Sequence, residues 1–585
     1  MRAVWAILVL LSGCAVLDPS QVPCTADEFC PTGFTCDGTE ESPGFCSAVA
    51  DDDDVADDDD AVDDDDSAGD DDDSAGDDDD AADDDDAADD DDAVDDDDAV
   101  DDDDAVDDDD DDDAADDDDA ADDDDAADDD DATPPTICPQ YADVAASSTP
   151  DGSAGSPWPT LQAAIDEAAA TGCTEVFVAS GAYPEQIVLP STLALVVEGT
   201  SSLNPPEITL ANGAASVVTA TGTLGGSVLR HLVLDAGSAL DSRGLVLTAG
   251  SLTLDGVTVQ DGGLTGDGGG IYAIDSNLTL IDSIVADNLV TGGGGGLYAE
   301  GGTLTAVESI VGGNFAEGNG GGVYLLGVDA TFSNCLIESN GADSGTDGGG
   351  LFAIEDANGG GSLQVEDSEF FENTATDGAG LRVDDQFFEV ARTKFIGNVA
   401  SNQGGGLFAA SASGSVVRST AFLANEAVNG ASIFDWGSNL EVEFITTVAN
   451  VATGDGAFEP GADLRLSLQS TLEHAIVSFT SCGLAIDHCG HGIKRAASLL
   501  NAPLNWIDVW GQDGDAFIGV STGTPSNLDA DPQFVSWATV SVPSSWDVHL
   551  GPGSLCIDAG DSTVSDTDGS IADLGAYGGP TPLSF

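Results

Sequence analysis

Five groups of residues could do chemistry by type and spacing. Gly490-His491-Gly492 places an imidazole between two glycines and just ahead of Ile493-Lys494. An imidazole can take up or release a proton near neutral pH, and the glycines leave room for close approach. Glycoside hydrolysis would need two carboxyl groups, one of them protonated, and Asp384-Asp385 beside Arg382 is the pair in view. β-Elimination would need a basic side chain. Arg392 and Lys394 read as two residues on one strand face, with Arg418 one repeat later by phase; a charge-compensating edge is the alternative. Asp487-His488-Cys489-Gly490-His491, with Cys482 seven residues before Cys489, reads as metal ligands or as a Cys482–Cys489 disulfide. Asp566, Asp568, Ser570 and Asp573 space out as DxDGxxxD, a calcium-loop pattern that lacks the third Asx ligand and closing Glu of an EF-hand. Calcium is the one cofactor this suggests, with a plain turn as the alternative. No carboxylate-plus-base set falls at one phase of adjacent repeats, so no catalytic residues are expected.

The elements that must position these groups come from a repeat. An aliphatic residue follows a Gly-rich motif at Ile271, Leu297, Val323, Leu351, Leu381, Leu407 and Ile433, at spacings of 26, 26, 28, 30, 26 and 26. A second series keeps phase with it and ends at Asn288, Asn314, Asn340, Asn373, Asn398, Asn425 and Asn450. Between them lie short alternating runs such as NLTLIDS and SLQVEDS, which read as strands. Strands and turns at constant phase predict one coil per repeat, with each strand beside its copy in the next coil. The stacked asparagines would then bond to one another along the axis, satisfying amides that are costly to bury unpaired. Cys335 would sit in that stack as a small apolar residue.

Ahead of the repeat, Leu161, Ala164, Ile165 and Ala168 share one face of a short helix, which would cap the open edge of the first coil. Val176–Ala179 and Ile187–Leu189 read as its strands. Cys138 and Cys173 flank this region and could be bridged. The expected fold class is all-β: a parallel β-helix solenoid over 134–585 with an N-terminal capping helix.

The remainder of the chain reads as targeting and spacing. Arg2 and the apolar run Ala3–Leu11 form an export signal over 1–13, too short to span a bilayer. Cys24, Cys30, Cys36 and Cys46 in 14–50 suggest a small module with two disulfides; zinc is the alternative. Over 51–133, DDDD alternates with small dipeptides. Like charges at i,i+4 and the lack of large apolar groups forbid both helix and core, so a disordered, extended stalk is expected. The whole chain of 585 residues carries 114 acidic and 10 basic side chains, a net charge of -104. That charge excludes nucleic acid as a partner, and repels anionic lipids and polyuronic acids unless a divalent cation bridges them.

Four resemblances follow from these residues. Leu11-Ser12-Gly13-Cys14 resembles a bacterial lipobox, which implies acylation of Cys14; with Ala15 following, it implies outer-membrane anchoring. The GGG[ILV][YF] and FxxN series is similar to the repeats of chlamydial polymorphic outer-membrane proteins, and more widely to the right-handed parallel β-helix, or pectin-lyase-like, superfamily. Trp506–Gln512, Asp529–Val535 and Leu550–Pro580 resemble the closing segment of bacterial surface β-helix proteins. No membrane barrel follows, so an autotransporter is not expected. The GHG resembles polygalacturonases, but their NTD is missing and the IK abuts the GHG. Together these imply a surface-exposed lipoprotein, a rod for adhesion, glycan contact or envelope structure. Its partners would be the membrane, extracellular polysaccharide or a neighbouring cell surface. The alternative is a polysaccharide lyase, hydrolase or epimerase.

Overall fold

The computed structural model describes residues 137–146, 149–210, 215–237, 241–454, 461–482, 490–495, 504–518, 526–537 and 542–584, together with three short N-terminal strands. The chain divides into two compact units, 1–123 and 124–585. In the first, Pro23–Cys24, Phe34–Cys36 and Gly44–Ala48 form an antiparallel sheet with the last strand in the middle. Its register sets Cys36 opposite Cys46 and Cys24 opposite Gly44. Cys14, Cys30 and the aspartate repeats lie outside the described residues.

The second unit is a parallel β-solenoid of about twelve turns. Each coil contributes to three parallel ladders. The first ladder carries the segments after the glycine motif, pairing Ile271 with Leu297, Leu297 with Val323 and so on through Ile433. The second pairs the alternating runs, as in Leu278 with Leu304 and Leu363 with Phe388. The third pairs the strands that precede each asparagine, as in Val285 with Val311 and Phe370 with Phe395. A fourth ladder of eight two- to five-residue strands follows the asparagines. Inward residues alternate with outward ones, so Leu, Val, Ile and Phe fill one continuous core. Within it, Phe370, Phe395 and Phe422 stack with centroids 4.8 and 4.9 Å apart.

The asparagines hold the coils together. Each Nδ2 donates to the next coil's Oδ1 at 2.9–3.1 Å, from Asn288 to Asn314 and on through Asn450. That same Oδ1 accepts the backbone N–H of the preceding asparagine at 2.7–3.1 Å. All seven are buried. Cys335 is not in this stack. It is buried in a parallel column of hydroxyls, where Val257 and Ser283 donate their N–H groups to Ser283 and Ser309 and Cys335 donates its own to Ser368. The glycine triplets form the facing corner. Gly294 has φ +65°, and a Cβ on Gly322 would meet the Gly350 carbonyl at 2.6 Å and the Asn340 side chain at 2.9 Å.

The helix α1 (Leu161–Thr171) buries Leu161, Ala164, Ile165 and Ala168 over the first coil. Glu185, from that coil, accepts the N–H groups of Leu161 and Gln162 at 2.8 and 2.9 Å, a carboxylate at the positive helix end. Gly172 closes the helix in the left-handed region. Cys138 and Cys173 form a disulfide. Among the described residues, no helix is long and apolar enough to cross a membrane.

The closing segment does not merely seal the last coil. It folds back along the outer face of the third ladder, packing Phe534, Val548, Cys556, Leu574, Ala576 and Leu583 against Ile396, Leu423, Val448 and Ile476. That face is apolar in the later coils, so leaving it bare would expose a large hydrophobic patch.

Replacing Asn373 by Ala should cost roughly 2–4 kcal/mol, because the Asn340 N–H and Nδ2 both lose their acceptor. Asn277, an exposed amide bonded to Ser251, should tolerate Ala with little loss. Urea denaturation of the two variants checks the contrast.

Candidate binding surface

One outward column of the first ladder gathers the aromatic residues of the repeat. Tyr272, Tyr298, Tyr324 and Phe352 stack with centroids 5.5, 5.2 and 5.2 Å apart. The three tyrosines are partly exposed. Burial raises the hydroxyl pKa of Tyr298 and Tyr324, and Glu300, which accepts the Tyr298 hydroxyl at 3.2 Å, adds to the first. Arg243 caps the stack, its guanidinium 4.7 Å from the Tyr272 ring centroid. The register continues the column through Arg382, Phe408, Phe434, Arg465 and Lys494. Arg382 fills an aromatic place, 5.7 Å from the Phe352 ring centroid and 4.4 Å from that of Phe408.

Arg382 also gathers three carboxylates: Asp347 at 2.9 Å, Asp377 at 3.3 Å and Asp384 at 3.1 Å. Burial pushes the Asp347 carboxyl up to about 6; Arg382 opposes the shift, while Asp377 and Asp384 add to it. Asp384 is also raised, chiefly by burial. Burial works against the charge on Arg382, but its carboxylate partners prevail and raise its pKa. Asp384 is the member of the Asp384-Asp385 pair that binds Arg382; Asp385 occupies a left-handed corner at φ +59°. Sequence reasoning missed Asp347 and Asp377. Asp347 arrives on the loop before the Gly348 corner, which the spacing of 28 marked; Asp377 ends the strand Thr374–Asp377 before the Gly378 corner, where no change of spacing marked it.

Farther along, the column borders a cavity of about 400 Å³ lined by Trp436, Gly437, Ser438, Asn439, Arg465, Ser467, Leu468 and Gln469. Arg465 lies 4.7 Å from the Phe434 ring centroid and 5.6 Å from that of Trp436, and donates from Nη1 to the Asp435 carbonyl at 2.8 Å. Beneath, the inward Asp435 is fully buried; its carboxylate accepts from the N–H groups of Ser438 and Ser467 and the Ser470 hydroxyl. A second buried carboxylate, Asp463, accepts from Ser432, Thr447 and Thr480, and burial raises its pKa.

The other residues singled out by sequence do not converge. Arg392 occupies a corner at φ +48°, so it and Lys394 do not share a strand face. The register aligns Arg418 with Ala391 and Lys394 with Ala421. Arg392 pairs with Glu366 and Asp367, and Arg418 with Glu389. His491 is buried, with Nδ1 accepting the Asp515 N–H at 2.6 Å. Asp487, His488 and Cys489 lie outside the described residues; Cys482 is buried and disulfide-bonded. In the DxDGxxxD loop, Asp566 accepts from the N–H groups of Asp573 and Gly579, Asp568 from Ser570, and Asp573 from Asp558. These oxygens brace the turn. Among the described residues, no group of three or more His, Cys, Asp or Glu converges to hold a metal ion.

Residues 243–422 match the family described as right handed beta helix region. With the parallel ladders, this makes the fold a right-handed parallel β-helix. Among solved structures, the chain is similar to pectate lyase Pel9A, at 15% identity and TM-score 0.31, over 75% of this chain and 97% of that one. It is similar to the A-module of the Azotobacter vinelandii mannuronan C-5 epimerase AlgE4, at 14% and 0.31, over 67% and 100%. It is also similar to the tailspike of Escherichia coli bacteriophage HK620 in complex with a pentasaccharide, at 13% and 0.21, over 64% and 76%. No curated protein matches it in sequence. These likenesses concern fold alone.

Asp347 and Asp508 make stability depend on pH. Burial raises both to about 6. Between about pH 4 and 6 the folded state holds protons that the unfolded state has released, so stability falls as pH rises through that window. Asp508→Asn should remove part of this slope. It should stabilise the protein by on the order of 1–3 kcal/mol at pH 7 and hardly at all at pH 4. Thermal melts at the two pH values decide it.

Proposed function

We propose that the chain is a non-catalytic surface rod that contacts glycans along the outward column of its first ladder. The observation that supports this reading is the run of stacked, partly exposed rings from Tyr272 to Tyr324. Successive coils repeat the same ring edges and hydroxyls at rung spacing, which suits an extended chain of sugar rings lying along the axis. The lipobox-like Cys14 would anchor the protein to the outer membrane, and the aspartate stalk would hold the solenoid away from it. Its partner is then extracellular polysaccharide or a neighbouring cell surface.

A second reading is favoured by one observation. Asp347, with a carboxyl near 6 beside Asp377, Asp384 and Arg382, has the character of a general acid. On that reading the same column guides a polysaccharide to a cleavage site.

Incubation of the full chain with a polysaccharide panel, with and without calcium, separates the two. Intact chains by mass spectrometry, with retention weakened several-fold by Tyr298→Ala, are expected. Shortened or unsaturated products that vanish in Asp347→Asn would overturn the first reading in favour of the second. Cys14→Ser should release the protein from membranes, and unchanged fractionation would refute the anchor.

A further inference from the structure

We infer that the cavity at Trp436 is a separate site for one sugar ring, such as a chain terminus. The inference rests on the glycan-contact reading but turns on Trp436, Asn439 and Gln469, which lie outside that column of rings. Trp436 is 57% exposed although its indole lies nearly parallel to Phe434, 12° between planes with centroids 6.3 Å apart. A large aromatic left this open costs hydration, and it offers an apolar face to the C–H side of a sugar ring. The Ser438 and Ser467 hydroxyls of the lining are buried and already bonded, but the exposed amides of Asn439 and Gln469 both donate and accept hydrogen bonds. That mixture suits the hydroxyls of a polyol, which do both as well. At about 400 Å³ the space holds one or two rings rather than a polymer.

Among the described residues, Arg465 is the one charged side chain lining the cavity. Its guanidinium lies against the Phe434 and Trp436 rings and donates from Nη1 to the Asp435 carbonyl, which fixes one wall of the site in place.

The test is saturation-transfer NMR and titration of the full chain with D-glucose, D-galactose and N-acetyl-D-glucosamine, and with D-galacturonate as the charged counterpart. At least one of these sugars should bind with a Kd on the order of 1–10 mM, the strength that a single small ring with few anchors reaches. Trp436→Ala should weaken it at least tenfold, and the double variant Asn439→Ala/Gln469→Ala several-fold. Tyr298→Ala should leave this binding unchanged while weakening polysaccharide retention, so failure of either proposal is visible separately. Two results would overturn the inference: none of the four sugars bound in that range, or binding unaffected by Trp436→Ala.

Discussion

The structure depends on one repeated contact: the carboxamide of a buried asparagine on the next coil's asparagine. Each Oδ1 takes two donors from the coil before it, one backbone and one side chain, and each Nδ2 serves the next coil. Most of these Nδ2 groups also reach the carbonyl of a third-ladder residue, such as Val285 or Ile337, one coil back. A slip of one residue would leave several buried polar groups unpaired per coil. The ladder therefore fixes register, and register is what turns scattered tyrosines and arginines into columns.

Where the core changes character, the column changes too. The third glycine of the motif becomes Ser432 and then Asp463 in the later coils, and the interior gains Asp435, Thr447, Ser470 and Arg495. Buried carboxylates there are tolerable because hydroxyls and backbone N–H groups surround them. In the same coils the outward residues pass from rings to Arg465 and Lys494. Among the described residues, Arg243 and Arg465 lie against rings and Arg392 amid carboxylates, and Arg382 has both.

Much of this was legible in sequence because the repeat writes each constraint many times. The asparagine phase, the glycine corner and the helix face of Leu161 to Ala168 follow from spacing or pattern, whereas Cys138 and Cys173 stood only as candidates for a bridge. The corners between the second and third ladders did not. They take left-handed backbone at Glu308, Arg392, Phe444, His474 and Trp506, residue types that rarely adopt it. Stacking over-determines some of them: His474 lies between Phe444 and Trp506 at 4.4 and 5.2 Å. Misreading the corner at Arg392 is what placed it on the face of Lys394. The backward fold of the closing segment was hidden as well, because the apolar outer face it covers reads in sequence as ordinary strand. The Arg382 cluster draws on three coils, and no single repeat reveals it.

The central claim, that the asparagine contacts clamp the coils, is tested most directly by amide hydrogen exchange read peptide by peptide on the full chain. The amides of Asn314, Asn340, Asn373, Asn398 and Asn425 should be among the slowest to exchange, and Asn373→Ala should speed its neighbours in the adjacent coils together. Exchange at these asparagines as fast as in the exposed turn at 357–359, or an effect of the substitution confined to its own coil, would contradict the account.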